Sequence, residues 1–221
     1  MSNYSYMDSV LGIARDHYAN ASKLPLSHDG CKTIEGWTKN YEKSRSAIPS
    51  FKTIQEVIAY AQDIGCSGFN HRGNVEDQKI TDQWAELDTR FPGWAERYPS
   101  ICDSSFSKPQ TVTVYRGRLL SNISFWHMEA LLMSTRQISQ LPNRVLEIGA
   151  GMGELARLFK LSFPWLRYTI IDFPESLFFA EVYLLANFPY ASIAYLLSQS
   201  DSWQAALNSD FTLVPVQNSG A

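Results

Sequence analysis

The chain has 221 residues, 45% of them apolar and 19% charged, which suits a globular protein of one large domain or a domain with a helical appendage. A formal net charge of −3 with no lysine or arginine run gives no footprint for nucleic acid. The cysteines Cys31, Cys66 and Cys102 are odd in number, far apart and free of any CxxC pair, so neither a disulfide framework nor a zinc site is expected, and reduced thiols in the cytoplasm are.

The opening "MSNYSYMDSVLGIARDHYA" lacks the pattern of a signal peptide. Met7, Val10, Leu11, Ala14 and Tyr18 recur at helical spacing, and Ile34, Trp37 and Tyr41 do so more weakly. In "TIQEVIAYAQDIG", Thr53 and Glu56 have the spacing of a capping box, Ile54, Val57, Ile58 and Ala61 form a buried stripe, and Gly65 suits a helix end. Residues 66–80 have no period and read as a loop. Trp84, Leu87 and Phe91 then suggest a helix closed by Pro92-Gly93. "SSFSKPQ" is a loop, and "TVTVYRG" reads as a short strand or hairpin arm.

From Ser121 the character changes. "SNISFWHMEALLMSTRQISQLP" predicts one long helix with Ile123, Trp126, Ala130, Leu131 and Ile138 on its core side. There follow a strand at Val145–Ile148, a helix at Glu154–Leu161, a strand at Tyr168–Ile171, a helix at Glu175–Asn187, a strand at Ser192–Leu197, a short helix at Ser202–Leu207 and a strand at Phe211–Val216. Alternating Val/Ile/Leu-rich strands and helices predict an α/β fold, a Rossmann-like parallel sheet of about four strands covered on both faces. The domain division expected is a mainly helical region over 1–120 and a partial Rossmann-like domain over 121–221. "SLFFAEVYLLANFPYASIAYLL" is apolar enough to raise a membrane span, but Glu181, Asn187 and Pro189 interrupt it, so a buried helix and strand are expected and no membrane.

The loop "VLEIGAGMGE" places Gly149, Gly151 and Gly153 between a strand and a helix, where open α/β sheets bind ligands. Glycine tolerates the tight turn and lets a ligand approach the helix N-terminus. A dinucleotide fingerprint would need a small residue where Glu154 stands, and no Gly-Lys-Ser/Thr of a phosphate loop is present. Glu147 inside an apolar strand is costly without partners. "YTIIDFPE" carries Asp172 about twenty residues on, a spacing at which an acid accepts hydrogen bonds from ribose hydroxyls; a helix cap is the simpler role and compatible with it. Pro174 suits a first helical turn.

"RVLEIGAGMGELARLF…YTIIDFPE", covering about Arg144 to Phe188, resembles the S-adenosylmethionine-dependent sugar O-methyltransferases of Rossmann-like fold. The resemblance implies S-adenosyl-L-methionine as cofactor and a small-molecule acceptor, a sugar or similar hydroxylated compound. It implies that Glu147 lies near the methionine amino end, that the backbone of Gly149, Ala150, Gly151, Met152 and Gly153 lines the methionine and ribose, that Asp172 binds the ribose, and that Phe173 packs near the adenine. The resemblance also makes Asp201 a candidate for the polar residue that meets the adenine N6, although a helix cap ahead of "SWQAAL" is the simpler explanation. No catalytic base is assigned: His17, His28, His71 and His127 have the right chemistry but no motif. Arg116 and Arg118 suit either an acidic acceptor or a solvated hairpin end, and Trp37, Trp84, Trp94 and Trp126 suit the core.

The family's sheet has more strands than the four found here, and the region after the fourth supplies much of its acceptor pocket. The expectation is therefore a domain lacking its acceptor half, with the fourth strand as an unpaired apolar edge prone to self-association. A cofactor-binding module without catalysis and a nicotinamide-dependent oxidoreductase are the alternatives.

Overall fold

The computed structural model describes residues 3–23, 35–64, 77–106, 112–136, 138, 143–197, 203–206 and 208–216. The helical first part comprises α1 (Asn3–Ala21), α2 (Glu35–Ala47), a 3-10 turn (Ile48–Ser50), α3 (Ile54–Asp63), α4 (Asp77–Arg90) and the short α5 (Trp94–Arg97). A hairpin of β1 (Val112–Tyr115) and β2 (Arg118–Ser121) leads into α6 (Asn122–Thr135). The sheet region then runs β3 (Arg144–Ile148), α7 (Glu154–Ser162), β4 (Arg167–Asp172), α8 (Pro174–Asn187), β5 (Ile193–Tyr195), α9 (Trp203–Ala206) and β6 (Phe211–Pro215). This is an α/β architecture of Rossmann-like kind, a four-stranded parallel sheet preceded by helices.

Local chemistry accounts for most element ends. At α3 the Thr53 hydroxyl accepts the Glu56 N–H at 3.2 Å, while the Glu56 carboxylate reaches back to the Lys52 N–H at 2.7 Å. The predicted stripe of Ile54, Val57, Ile58 and Ala61 is buried; Gly65 and residues 66–76 lie outside the described residues, and Asp77 already belongs to α4, inside the span read as a loop. The hairpin turns at Arg116 and Gly117, both with positive φ, a geometry that matches the twist of paired strands; its second arm was not read from the sequence.

The strand order is β3-β4-β6-β5. The expectation of an open fourth strand is therefore corrected: β6 pairs with β4 on one side and β5 on the other. Its Phe211, Thr212 and Leu213 are buried, so the interior position removes most apolar surface of this strand from water. The edges are β3 and the three-residue β5.

Coverage of both faces is corrected as well. Val145, Tyr168, Ile170, Phe211 and Leu213 share one face, and α7 and α8 both pack on it through Ala156, Phe159, Leu177, Ala180 and Leu184. On the opposite face Leu146 and Ile148 are 59% and 76% exposed, and Thr212 donates to the Ala206 carbonyl of the short α9 at 2.7 Å. The N-terminal helices do not cover that face. They form a further layer on α8, whose residues 174–186 are all buried. A helix apolar all round belongs between two layers, which explains the run that raised a membrane span. No helix among the described residues is long and apolar enough to cross a membrane.

Both apolar clusters draw on residues from either side of position 120. One joins Trp84, Trp94 and Leu120 to Phe159 and Tyr168; the other joins Val10, Ala14 and Val57 to Met152, Phe178 and Phe179. Helix α6 ends at Thr135, and its core side is Ile123, Phe125, Met128, Leu131 and Leu132. Trp126 and Ile138, expected inside, are 41% and 42% exposed. The segment is apolar on nearly every side, so periodicity alone does not select the face that packs.

Candidate functional site

The site is built where β3 and β4 end. Strand β3 delivers its chain to Gly149, Gly151 and Gly153, whose φ values are +79°, +58° and +86°. All three lie in the left-handed region that disfavours any side chain, which is the local reason for three glycines. Their surroundings differ. A Cβ on Gly153 would meet Leu184 Cγ at 3.4 Å and the Ala180 Cβ at 3.5 Å, ordinary contact distances, so the positive φ rather than lack of space calls for glycine there. A Cβ on Gly149 would meet nothing within 4 Å, so this side of the loop is open to a ligand. Ala150 and Met152 turn their side chains into the core, leaving only their backbone for a site.

Asp172 closes β4 and ties the loop to it. Its carboxylate accepts the Gly151 N–H at 3.0 Å and the Phe173 N–H at 2.7 Å. Burial raises its pKa to about 6, against the pull of these amides and the Ser176 hydroxyl. Phe173 is the N-cap of α8 and makes no side-chain cap bond, with Pro174 in the first turn as expected. The Phe173 ring meets Tyr41 of α2, centroids 4.6 Å apart and planes tilted by 42°.

Glu147 lies one strand over, on the same face as Ile170. Its carboxylate accepts the Tyr168 hydroxyl at 3.1 Å. Burial raises its pKa to about 7, and the charge of Asp172 pushes the same way. The two predicted acids therefore feel each other across the strand ends. Beside Glu147 a cavity of about 160 Å³ opens between Thr135, Leu155 and Tyr168. That is below the range of small-molecule pockets and ample for water at the carboxyl.

Glu154, noted in the sequence only as too large for a dinucleotide loop, has a structural task. Buried in the first turn of α7, it takes two hydrogen bonds from Arg157, at 2.8 and 2.7 Å, and one from the Tyr183 hydroxyl at 2.5 Å. Burial alone would raise its pKa, but the Arg157 charge holds it below the usual carboxylate value. Arg157 also donates to the Cys102 carbonyl at 2.8 Å. An acid in this turn compensates the helix dipole internally and leaves less attraction for an external anion.

Sequence reasoning missed two groups around α8, the Arg45–Glu175 pair and Tyr18, and named His17 only as a candidate base without its partner Glu181. Arg45 of α2 donates to Glu175 at 2.5 Å; Glu175 is 1% exposed and its second carboxylate oxygen has no hydrogen-bond partner. Tyr18, beside this pair, has its pKa raised to about 12 by burial and by the Glu175 charge. His17 Nδ1 stands 2.8 Å from the fully buried Glu181, and its ring lies 4.7 Å from that of Tyr195. The approach of α1 and α2 to α8 is a long-range event without a local signal.

The remaining candidates disperse. His127 is bound to the Ile123 carbonyl at 2.8 Å, and burial lowers its pKa. Arg116 pairs with Asp88 and Glu96, while Arg118 donates to the Tyr98 and Ala95 carbonyls, so both arginines pin the hairpin. Trp84 and Trp94 are core residues. Asp201, His28, His71, Cys31, Cys66 and the side chain of Trp37 lie outside the described residues. Among the described residues no three His, Cys, Asp or Glu side chains are grouped to hold a metal ion. Comparisons of the chain with protein-family models, curated proteins and solved structures find no match in any of the three.

Proposed function

We propose that the chain is an S-adenosylmethionine-dependent O-methyltransferase, acting on a sugar or similar hydroxylated small molecule. The observation that carries the cofactor is the pair of largely buried carboxyls, Glu147 and Asp172, at neighbouring strand ends beside a left-handed glycine loop. Such a site favours a ligand with positive charge, which would hold both acids ionised. The acceptor class rests on the resemblance of "VLEIGAGMGE" and "YTIIDFPE" to sugar O-methyltransferases.

The residues fit the cofactor. Asp172 stands at the end of β4, where its carboxylate would take a ribose hydroxyl in exchange for one of the hydrogen bonds it accepts from Gly151, Phe173, Ser176 and Ala150. The open side of Gly149 gives room for close approach to the backbone. When bound, S-adenosylmethionine supplies a sulfonium methyl for attack by an acceptor oxygen. The chain's part is to orient that methyl and to neutralise its charge with Glu147 and Asp172. The Gly151 amide is taken by Asp172 rather than left for a phosphate, and Glu154 occupies the first turn of α7. Both weigh against a nicotinamide dinucleotide.

Calorimetric titration with S-adenosylhomocysteine and with NAD tests this. S-adenosylhomocysteine binding without NAD binding is the expected result; tight NAD binding, or neither ligand, sinks the reading. Radiolabelled S-adenosylmethionine with a panel of sugars then separates a transferase from a binding module, which would hold the cofactor and transfer nothing.

A further inference from the structure

We infer that Tyr41 of α2 forms, with Phe173, an aromatic clamp for the purine base of an adenosyl ligand. The inference rests on the cofactor reading above and goes beyond it by assigning a part of the site to the N-terminal helices. If Asp172 takes the ribose hydroxyls, the base attached to that ribose lies within reach of the next residue, Phe173. The ring already facing Phe173 is that of Tyr41, 4.6 Å away and tilted by 42°, from a helix far away in the chain. Tyr41 is itself only half-buried, so the pair is not sealed into the core.

Two outcomes are conceivable when a base arrives at this pair: eviction of Tyr41, or closure of both rings on the base. The anchoring of α2 favours closure. One turn beyond Tyr41, Arg45 donates to Glu175 at 2.5 Å, and Glu175 stands two residues after Phe173. Glu175 is 1% exposed, and its other oxygen has no hydrogen-bond partner. Withdrawing α2 would strip a buried carboxylate of Arg45, a costly step. The helix therefore stays while the tilted rings open. Aromatic faces stack on any nucleobase, and losing one such face weakens binding measurably.

The test is calorimetric titration of adenosine, and of S-adenosylhomocysteine, into the full chain and into Tyr41→Phe, Tyr41→Ala and Tyr41→Leu. Tyr41→Phe should bind like the parent; the other two should weaken both ligands about tenfold. Leucine retains apolar volume, so a folded Tyr41→Leu chain, checked by its thermal melt, keeps the test decisive should alanine unfold. Unchanged or tighter binding by Tyr41→Leu overturns the clamp and leaves the cofactor reading standing. A parent chain that binds neither ligand overturns both.

Discussion

The carboxylate of Asp172 holds the N–H of Gly151 at 3.0 Å, so the end of one strand and the middle of the neighbouring strand's loop form one unit. Removing the carboxylate frees the loop before any ligand is considered. Asp172→Ala should lower hydrogen-exchange protection at the Gly151 amide and weaken S-adenosylhomocysteine by at least tenfold. A chain that loses affinity with full protection at Gly151 would show that Asp172 acts only on the ligand.

The glycines of the loop should separate under substitution. Gly149→Ala and Gly153→Ala each place a side chain in the left-handed region, costing about 1–2 kcal/mol by urea denaturation. The new Cβ at position 153 faces Leu184, whereas at position 149 it enters open space at the ligand side. Only Gly149→Ala should also weaken cofactor binding, read by calorimetry on both folded variants.

Breaking the buried Glu154–Arg157 pair on one side should be severe. Arg157→Met leaves Glu154 buried with Ser124 and Tyr183 as hydrogen-bond donors and only the His127 imidazole as a nearby positive group, a loss of about 3–5 kcal/mol. The double change Glu154→Leu with Arg157→Met should recover much of it, since an apolar pair leaves no stranded charge. Urea midpoints of the three chains decide this.

Glu147 gives the ligand-free protein a pH dependence of definite sign. Its folded pKa of about 7 lies above the ordinary 4.5, so the fold prefers the protonated acid. That contribution is fully present below pH 4.5 and is lost as pH rises through 7, about 3 kcal/mol in all. Glu147→Gln should flatten the fall in stability between pH 4.5 and 7. Cofactor binding to the parent should release protons, visible as a heat that varies with buffer ionisation enthalpy; a buffer-independent heat would contradict the charge argument.

His17 adds a second fall at higher pH. The hydrogen bond to Glu181 raises its pKa above 6.5, so its stabilisation is complete below 6.5 and disappears as pH rises through the folded value. His17→Asn should remove that alkaline fall without altering the one assigned to Glu147. Thermal melts across pH 6 to 9 provide the comparison.

The parts of this fold that could be read from the sequence are the local ones. The order strand, glycine loop, helix, acid-ended strand and proline-led helix follows from turn chemistry and from apolar runs that need no distant partner. Strand order did not follow, because the sequence carries no sign that β6 enters between β4 and β5. The packed face of α6 was hidden by its apolar character on nearly all sides. At the site, Glu147, Asp172 and the three glycines were legible because each breaks a local rule. Glu175, Arg45 and Tyr41 were not, since each is ordinary where it stands and acquires meaning only when α2 meets α8.

The layer that α1 forms on α8 sets a schedule for the chain's birth. The Tyr6 hydroxyl donates to the Leu185 carbonyl, 179 residues further on, and His17 meets Glu181, 164 residues on. At a synthesis rate of about 5–20 residues per second, the apolar stripe of α1 waits on the order of ten to forty seconds before its partner emerges. Contacts of such separation also fold slowly once available. The first helix leaves the ribosome with its sticky side uncovered, a natural target for the chaperones that hold nascent chains.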